Sequence, residues 1–406
     1  MQTCASVCIL YDKELPSLRL QGFPSLKQSD DVIIIGAGPA GAILAYELAG
    51  RGIGVLLLEK ERLPRYKCCA GGVTRKAARL LGFDFSEVVE DEVSQVDITL
   101  DLGRPYPGQH SEPLMYTVMR DAFDHFLVKQ AQQRGAVLSD GQRVTDIQVR
   151  GDWVEVSTTE NTFRARLVAG ADGAYSVVAK QLGMNRSTDY VTGMESETLV
   201  AEEDMTKWRA RAQMELGYIS GGYGWVFPKR RHLSIGAGCI TSKARHLKLR
   251  QQEFVNSLGI ASHSVLRSGS HLIPTCTKGS LIWRDKALLL GDAAGLADPL
   301  TGEGIHNAIL SAQLAAPVIE DLLAHEKAGL ERYQQGIEET IISELKIARV
   351  LSKLFIRFPH LAFAMLNRKD SVWRAGSGLM LGDRTYADIS QRAGGFRGIV
   401  DRLFRS

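Results

Sequence analysis

Asp31-Val-Ile-Ile-Ile35-Gly36-Ala-Gly38-Pro39-Ala40-Gly41 reads as a strand that runs into a tight turn and then a helix. The β-branched apolar run suits a parallel strand buried on both faces. A helical pattern continues from Ala42 to Ala49. With glycines at this spacing, Gly36 permits the bend, Gly38 lets the backbone approach a pyrophosphate, and Gly41 lets helix and strand pack closely. The unpaired N–H groups at the helix start then meet the phosphates, flanked by Pro39 and Ala40. A second apolar run, Val55 to Leu58, ends in Glu59-Lys60. An acidic side chain there accepts hydrogen bonds from adenosine ribose hydroxyls and repels a 2′-phosphate, so the spacing predicts a bound dinucleotide other than NADP. This motif alone does not separate FAD from NAD.

Two later motifs make that separation. Leu167 to Ala171 is a strand-like run closing in Gly170-Ala-Asp172-Gly173, and Leu288 to Leu290 is another, closing in Gly291-Asp292-Ala-Ala-Gly295. A short strand ending in a carboxylate and small residues sets that carboxylate beside a ligand at the strand ends. Asp292 is thereby expected to bind ribityl hydroxyls, which FAD has and NAD lacks. Asp298-Pro-Leu-Thr-Gly302-Glu-Gly304-Ile305 then opens a helical stretch to about Leu323. Its positive end and the N–H groups near Gly302 and Gly304 are expected to face flavin N1 and the C2 carbonyl, stabilising anionic reduced flavin.

At these residues the chain resembles the glutathione-reductase-type flavoproteins, specifically their p-hydroxybenzoate hydroxylase-like branch, over about residues 31 to 330. Arg120, which heads an amphipathic helix with Phe123, Phe126 and Leu127, matches an arginine that contacts FAD across that superfamily. A guanidinium fork suits phosphate and ribityl oxygens. Two further motifs are similar to those of the geranylgeranyl reductase family. Pro64-Arg-Tyr-Lys67-Cys68-Cys69-Ala70-Gly71-Gly72 resembles the family's Lys-x-Cys-Gly-Gly pattern, with Ala70 a small departure. Tyr223-Gly-Trp225-Val-Phe227-Pro228 matches its Tyr-x-Trp-x-Phe-Pro signature. The resemblance implies that Cys69, Ala70 and Gly71 lie near flavin and substrate, and that Tyr223, Trp225 and Phe227 line the substrate cavity. Cys69 is thus expected to position substrate or deliver a proton, with Tyr223 and Trp225 as further catalytic candidates. On residue chemistry alone the alternation puts the three rings on one strand face, which fits a packed sheet face as well as a cavity wall.

The chain is expected to be α/β: a Rossmann-like FAD-binding domain of the glutathione-reductase type with an inserted strand-rich substrate domain and a helical C-terminal region. The expected boundaries are an N-terminal extension at 1–30 and a flavin domain at about 31–85, 118–185 and 280–330. A substrate domain at about 86–117 and 186–279 and a C-terminal region at 331–406 complete the division. Ile341 to Leu366 is apolar on one side and broken by Pro359, as a packing helix, a greasy lid or a membrane-surface contact that admits a lipid would be. Lys229-Arg-Arg-His232 and Lys243-Ala-Arg245-His-Leu-Lys248-Leu-Arg250 are basic clusters, read as solvated charge or as a site for a diphosphate or headgroup. With 49 basic and 46 acidic residues the net charge is +3, which gives nucleic-acid binding no support. Six cysteines, irregularly spaced, match neither a disulfide scaffold nor a zinc site, so no metal is expected. No secretory signal and no uncharged apolar run of spanning length stand out, so the expected location is the cytoplasm, with contact at a membrane surface left open.

The function this implies is reduction of isolated C=C bonds in a polyprenyl (geranylgeranyl) chain by hydride from flavin N5. Electrons are expected from NADPH or reduced ferredoxin; Gly236-Ala-Gly238 lacks the third glycine of a second dinucleotide fingerprint. The alternatives are a flavin monooxygenase or halogenase and a non-catalytic prenyl-binding escort. Halogenases of this superfamily carry Trp-x-Trp-x-Ile-Pro, from which Tyr223 and Phe227 depart. The identity of the prenyl substrate and the oligomeric state are left open.

Overall fold

The fold is that of a computed structural model, which describes residues 30–184, 188–260, 263–276, 280–325, 329–368 and 370–392. Nearly all of the expected N-terminal extension lies outside them. The strand Asp30–Ile35 sits mid-sheet in an eight-stranded sheet. It pairs in parallel with Val55–Leu58 on one side and Thr162–Gly170 on the other, which sets Ile35 beside both Leu58 and Gly170. Ala287–Leu289 and Val137–Ser139 continue the parallel pairing outward. Because these strands run the same way, Gly36, Glu59, Asp172 and Asp292 all follow carboxyl ends at one edge of the sheet. That edge is where ligands bind in open parallel sheets.

Val32, Ile33 and Ile34 are completely buried. Burying a side chain of this kind stabilises by roughly 1.5–3 kcal/mol, so the run that opens the flavin motif is also the centre of the main core. The following helix, Pro39–Ala49, begins earlier than the apolar pattern from Ala42 suggests. Proline at a first helical position forgoes an N–H that has no intrahelical partner anyway.

A second sheet of seven strands has the order His263–Cys276, Thr188–Val200, His232–Ile240, Gly222–Pro228, Arg211–Leu216, Gln95–Leu100, Tyr106–Gln109. It is antiparallel except where Arg211–Leu216 pairs with Gln95–Leu100. A small third sheet, Gly72–Thr74, Met115–Val118 and Val89–Val93, links the two regions. Beyond Ile305–Ala324 the chain is helical, with Ser343–Arg357 and Pro359–Arg368 meeting at a corner that Pro359 opens. Asp370–Leu381 and Tyr386–Arg392 follow. No helix among the described residues is long and apolar enough to cross a membrane.

Candidate functional site

At the glycine turn, each predicted glycine meets a different surrounding. A Cβ on Gly41 would lie 1.9 Å from the Gly36 carbonyl oxygen, so only glycine allows the helix this close to the strand. A Cβ on Gly38 would meet nothing within 4 Å, so this position faces open space where a phosphate can approach. Glu59 is only 5% exposed and accepts from Ala37 N at 3.0 Å and Glu61 N at 3.1 Å. Its carboxylate therefore holds the glycine turn as well as facing the crevice.

Arg120 heads the helix Arg120–Gln133. Its Nε and Nη2 donate to Asp124 at 2.8 and 3.0 Å, and Arg65 reaches the same carboxylate at 2.9 Å. Part of the fork expected on FAD is thus engaged within its own helix. Arg120 still lines the cavity, beside Cys69 and near Asp292.

Asp172 accepts from Val177 N at 2.6 Å and Val178 N at 3.3 Å, capping the short helix Val177–Gln181 with Oδ2. Its buried Oδ1 has no hydrogen-bond partner among the described residues. Burial holds this carboxyl above its ordinary range, against the hydrogen bonds it accepts. Burial likewise raises Asp292, with Lys67 and Arg120 opposing. Opposite it starts the helix Ile305–Ala324, whose first ladder bond is Ala308 N to Gly304 O at 2.9 Å and whose cap carries no side-chain bond. The amides before Ala308 are outside the ladder and present positive charge to the crevice. Gly302 has φ +68°, and a Cβ there would press on the Tyr223 hydroxyl at 3.0 Å, so a side chain is disfavoured twice over.

Along Gly222–Pro228, Tyr223, Trp225 and Phe227 line the cavity while Val226 is in a separate core, as strand alternation requires. The Tyr223 hydroxyl donates to the Thr301 carbonyl, which ties this strand to the loop leading into the flavin-facing helix. Trp225 is 8% exposed and its buried Nε1 has no partner among the described residues. The Cys69 loop is braced from below. Cys69 N donates to Glu195 Oε1 at 2.6 Å, Tyr66 donates to the same oxygen at 3.0 Å, and the Lys229 amine donates to the Ala70 and Val118 carbonyls, both at 2.7 Å. Cys68, Cys69 and Cys239 are free thiols.

Lys229 is completely buried, so it is neither solvated charge nor a headgroup site; burial pushes its pKa down while Glu197 and Glu195 oppose that. In the same cluster His232 faces Glu197 at 2.8 Å and Arg230 binds the Val89 carbonyl at 2.7 Å. The cluster at 243–250 stays on the surface, with Lys243 at the cavity edge.

These parts enclose one continuous cavity of about 1290 Å³. It runs from Gly36, Gly38, Pro39, Ala40, Glu59 and Lys60, past Cys69, Ala70, Gly71 and Arg120, to Asp172, Gly173, Asp292, Gly302, Gly304 and Ile305. Of the residues expected at the cofactor, Gly41 and Gly291 do not line it. Gly41 is spent on helix–strand packing, and Gly291, at φ +51°, is wedged against Ala308 and Ala40.

Several residues in this cavity carried no assignment from sequence. The Lys67 amine lies 2.7 Å from His271 Nε2. Burial and the neighbouring Lys67 push His271 down to about 4, and burial with Arg120 lowers Lys67. Lys76 pairs with Glu303 at 2.9 Å, and Tyr386 donates to Asp298 at 2.6 Å. Lys67 and Lys229 stand inside the quoted motifs, which was a usable signal. Glu195, His271 and Tyr386 are far in sequence from their partners and had none.

The donor set fits FAD. Open space at Gly38 admits a diphosphate, the orphaned Asp172 oxygen and the adjacent Asp292 suit hydroxyl-bearing groups, and a helix start suits a ring system that gains negative charge on reduction.

Residues 29–232 match the FAD binding domain family. The chain is 31% identical over 325 residues to an uncharacterized protein of Methanosarcina barkeri, covering 80% of this chain and 83% of that one. It is 28% identical over 356 residues to digeranylgeranylglycerophospholipid reductase 2 of Methanopyrus kandleri, covering 80% and 86%. Among solved structures, a geranylgeranyl bacteriochlorophyll reductase-like protein of Thermoplasma acidophilum superposes with TM-score 0.74 at 23% identity, over 81% of this chain and 88% of that one. The flavin-dependent brominase Bmp2 superposes with TM-score 0.72 at 19% identity, over 93% and 99%. At these identities both likenesses are of fold.

Proposed function

Because the chain belongs to the FAD binding domain family, and so is an FAD-dependent oxidoreductase, we propose that it reduces isolated C=C bonds of a polyprenyl chain of the geranylgeranyl type. The observation that carries this reading is the size and lining of the cavity. Its volume of about 1290 Å³ exceeds the ~300–1,000 Å³ of a single ligand site, leaving room for a second, apolar occupant beside the dinucleotide. Past the aromatic strand the walls are Ile98, Met214, Leu216, Phe355, Phe363 and Leu366. Such a wall offers a prenyl chain contact without competing polar groups. The similarity to a digeranylgeranylglycerophospholipid reductase supports the same substrate class.

When bound and reduced, FAD supplies a hydride. The chain's own residues do the rest. Tyr223, Trp225 and Phe227 hold the alkene against the flavin-facing loop and exclude water, which is where the rate gain from positioning arises. Cys69 holds the proton for the second alkene carbon at Sγ, with Glu195, Lys229 and Arg120 fixing the loop that carries it. Gly302, Gly304 and the start of Ile305–Ala324 hold negative charge that develops on the ring. Electrons enter from NADPH or reduced ferredoxin.

The test is anaerobic turnover of dithionite-reduced protein with geranylgeranyl diphosphate and with a geranylgeranylated phospholipid, followed by mass spectrometry. Gain of two hydrogens per reduced bond, without oxygen, is the expected result. Oxygen-dependent hydroxylated or halogenated products would overturn it, and protein isolated without flavin absorbance would point to an escort. Cys69→Ala is expected to lower turnover by about 10²–10⁴-fold, the range for a lost general acid, while flavin stays bound.

A further inference from the structure

The corner between Ser343–Arg357 and Pro359–Arg368 has two apolar faces that meet. One faces inward: Phe355, Pro359, Ala362, Phe363 and Leu366 line the cavity. The other faces solvent: Phe358, Leu361 and Met365 are 50%, 59% and 44% exposed. Positions 358, 361 and 365 follow a helical stripe, so these side chains form one ridge beside the cavity-lining face. Exposed single apolar residues are ordinary, but a ridge of three that continues into the wall of an apolar cavity is not.

The stretch of sequence that carries the ridge has charge of one sign. From Leu345 to Lys369 the sequence contains Lys346, Arg349, Lys353, Arg357, Arg368 and Lys369 and no Asp or Glu, in a chain whose net charge is only +3. Arg349 is paired with Asp189 at 2.5 Å, and His360 faces Asp101 at 3.5 Å. Lys346, Lys353, Arg357 and Arg368 are exposed, and the Arg357 guanidinium lies over the Phe358 ring at 5.7 Å. Apolar side chains rimmed by cations complement the headgroup and upper acyl region of an anionic bilayer. No helix among the described residues is suited to cross one, so the contact would be interfacial.

We propose that this corner is a docking surface for an anionic lipid bilayer, with Phe358, Leu361 and Met365 inserted among the acyl chains and Lys353, Arg357 and Arg368 on the headgroups. A lipid-borne chain would then pass from the bilayer along Phe355, Phe363 and Leu366 into the cavity. This passage rests on the prenyl-chain reading; the docking itself does not, and it is measured without turnover.

The experiment is flotation of the full-length, FAD-loaded protein with phosphatidylcholine vesicles, with and without phosphatidylglycerol. Binding to the anionic vesicles, at least about tenfold weaker on neutral ones, is expected from about 1 kcal/mol per basic residue near the surface. Leu361→Asp/Met365→Asp should reduce binding roughly a hundredfold with the flavin spectrum and thermal midpoint unchanged, since both side chains are solvent-exposed and outside the cavity lining. Lys353→Glu/Arg357→Glu serves as an independent variant that should remove the preference for anionic vesicles. No vesicle binding by the wild type, or equal binding by both variants, overturns the proposal. So does a concentration-dependent dimer that the Leu361/Met365 variant abolishes in the absence of vesicle binding, because the ridge is then a subunit contact. Loss of docking with prenyl reduction intact would leave the proposed reaction standing.

Discussion

Gly38 and Gly41, three residues apart, do different work, and substitution separates them. Gly38→Ala places a methyl in open space with ordinary backbone angles at the helix cap, so the fold is expected to be unchanged within about 0.5 kcal/mol. Its effect belongs to the ligand: the backbone can no longer approach a pyrophosphate, and FAD affinity should fall at least about tenfold. Gly41→Ala drives a methyl into the Gly36 carbonyl and should destabilise the chain by roughly 1–3 kcal/mol or more, with flavin lost as a consequence. Thermal unfolding without ligand, read beside FAD titration, distinguishes the two. A Gly38→Ala protein that unfolds early would remove the assignment of that turn to a phosphate. The close packing at Gly41 and the open space at Gly38 were legible in sequence because a strand–turn–helix of fixed spacing settles its geometry within a few residues. Gly291, by contrast, is placed by distant contacts. Its neighbours Ala40 and Ala308 come from elsewhere in the chain, and they decide that it packs inward.

At the scale of elements, the loop that enters Ile305–Ala324 is anchored by charge. Burial alone would raise the Glu303 carboxyl, yet Lys76, His306 and hydrogen bonds from Lys76 and Thr74 outweigh it and hold it below its ordinary 4.5. A carboxyl depressed in the folded state contributes stability above its unfolded pKa and loses it as pH falls through the folded value. In Lys76→Met burial is left with less opposition and the folded pKa moves above 4.5. The native state then binds a proton that the unfolded chain releases, so stability falls as pH rises from about 4.5 to 7, the reverse of the Glu303 contribution in the wild type. A cost of about 3 kcal/mol near neutral pH is expected for the orphaned carboxylate, and thermal midpoints across that range measure it. Parallel midpoint curves for variant and wild type would mean that the pair does not control Glu303. Lys76 carries no sequence signal for this, since Glu303 is reached only when Gly72–Thr74 and Arg75–Arg79 fold against the flavin-facing helix.

Over the whole molecule, the cavity is closed by segments far apart in the chain. Tyr386, in the helix Tyr386–Arg392, donates to Asp298 Oδ2 at 2.6 Å, while Leu300 N and Thr301 N donate to the other carboxylate oxygen at 2.7 and 3.2 Å. Glu344 receives Tyr386 N at 2.5 Å and so fixes that helix from behind. Removing the hydroxyl in Tyr386→Phe takes away one bond to a buried carboxylate, worth about 1.5–3 kcal/mol. The C-terminal helices should then open more readily, seen as faster proteolysis between Leu381 and Tyr386 and a faster FAD off-rate. If proteolysis is unchanged, the contact does not hold the helices on the flavin loop. What the sequence by itself determined was everything set by local geometry and strand period: the three glycine-and-carboxylate turns, the shared face of Tyr223, Trp225 and Phe227, the break at Pro359, and with them the FAD-binding fold. Tertiary structure alone decided which groups meet. Glu195 braces Cys69 from 126 residues away, and Lys229 reaches the Ala70 carbonyl from 159. The reason is physical: a turn or a strand face is fixed by neighbours in sequence, whereas the pairing of a buried charge is fixed by whatever the packed sheets and helices bring within hydrogen-bond reach.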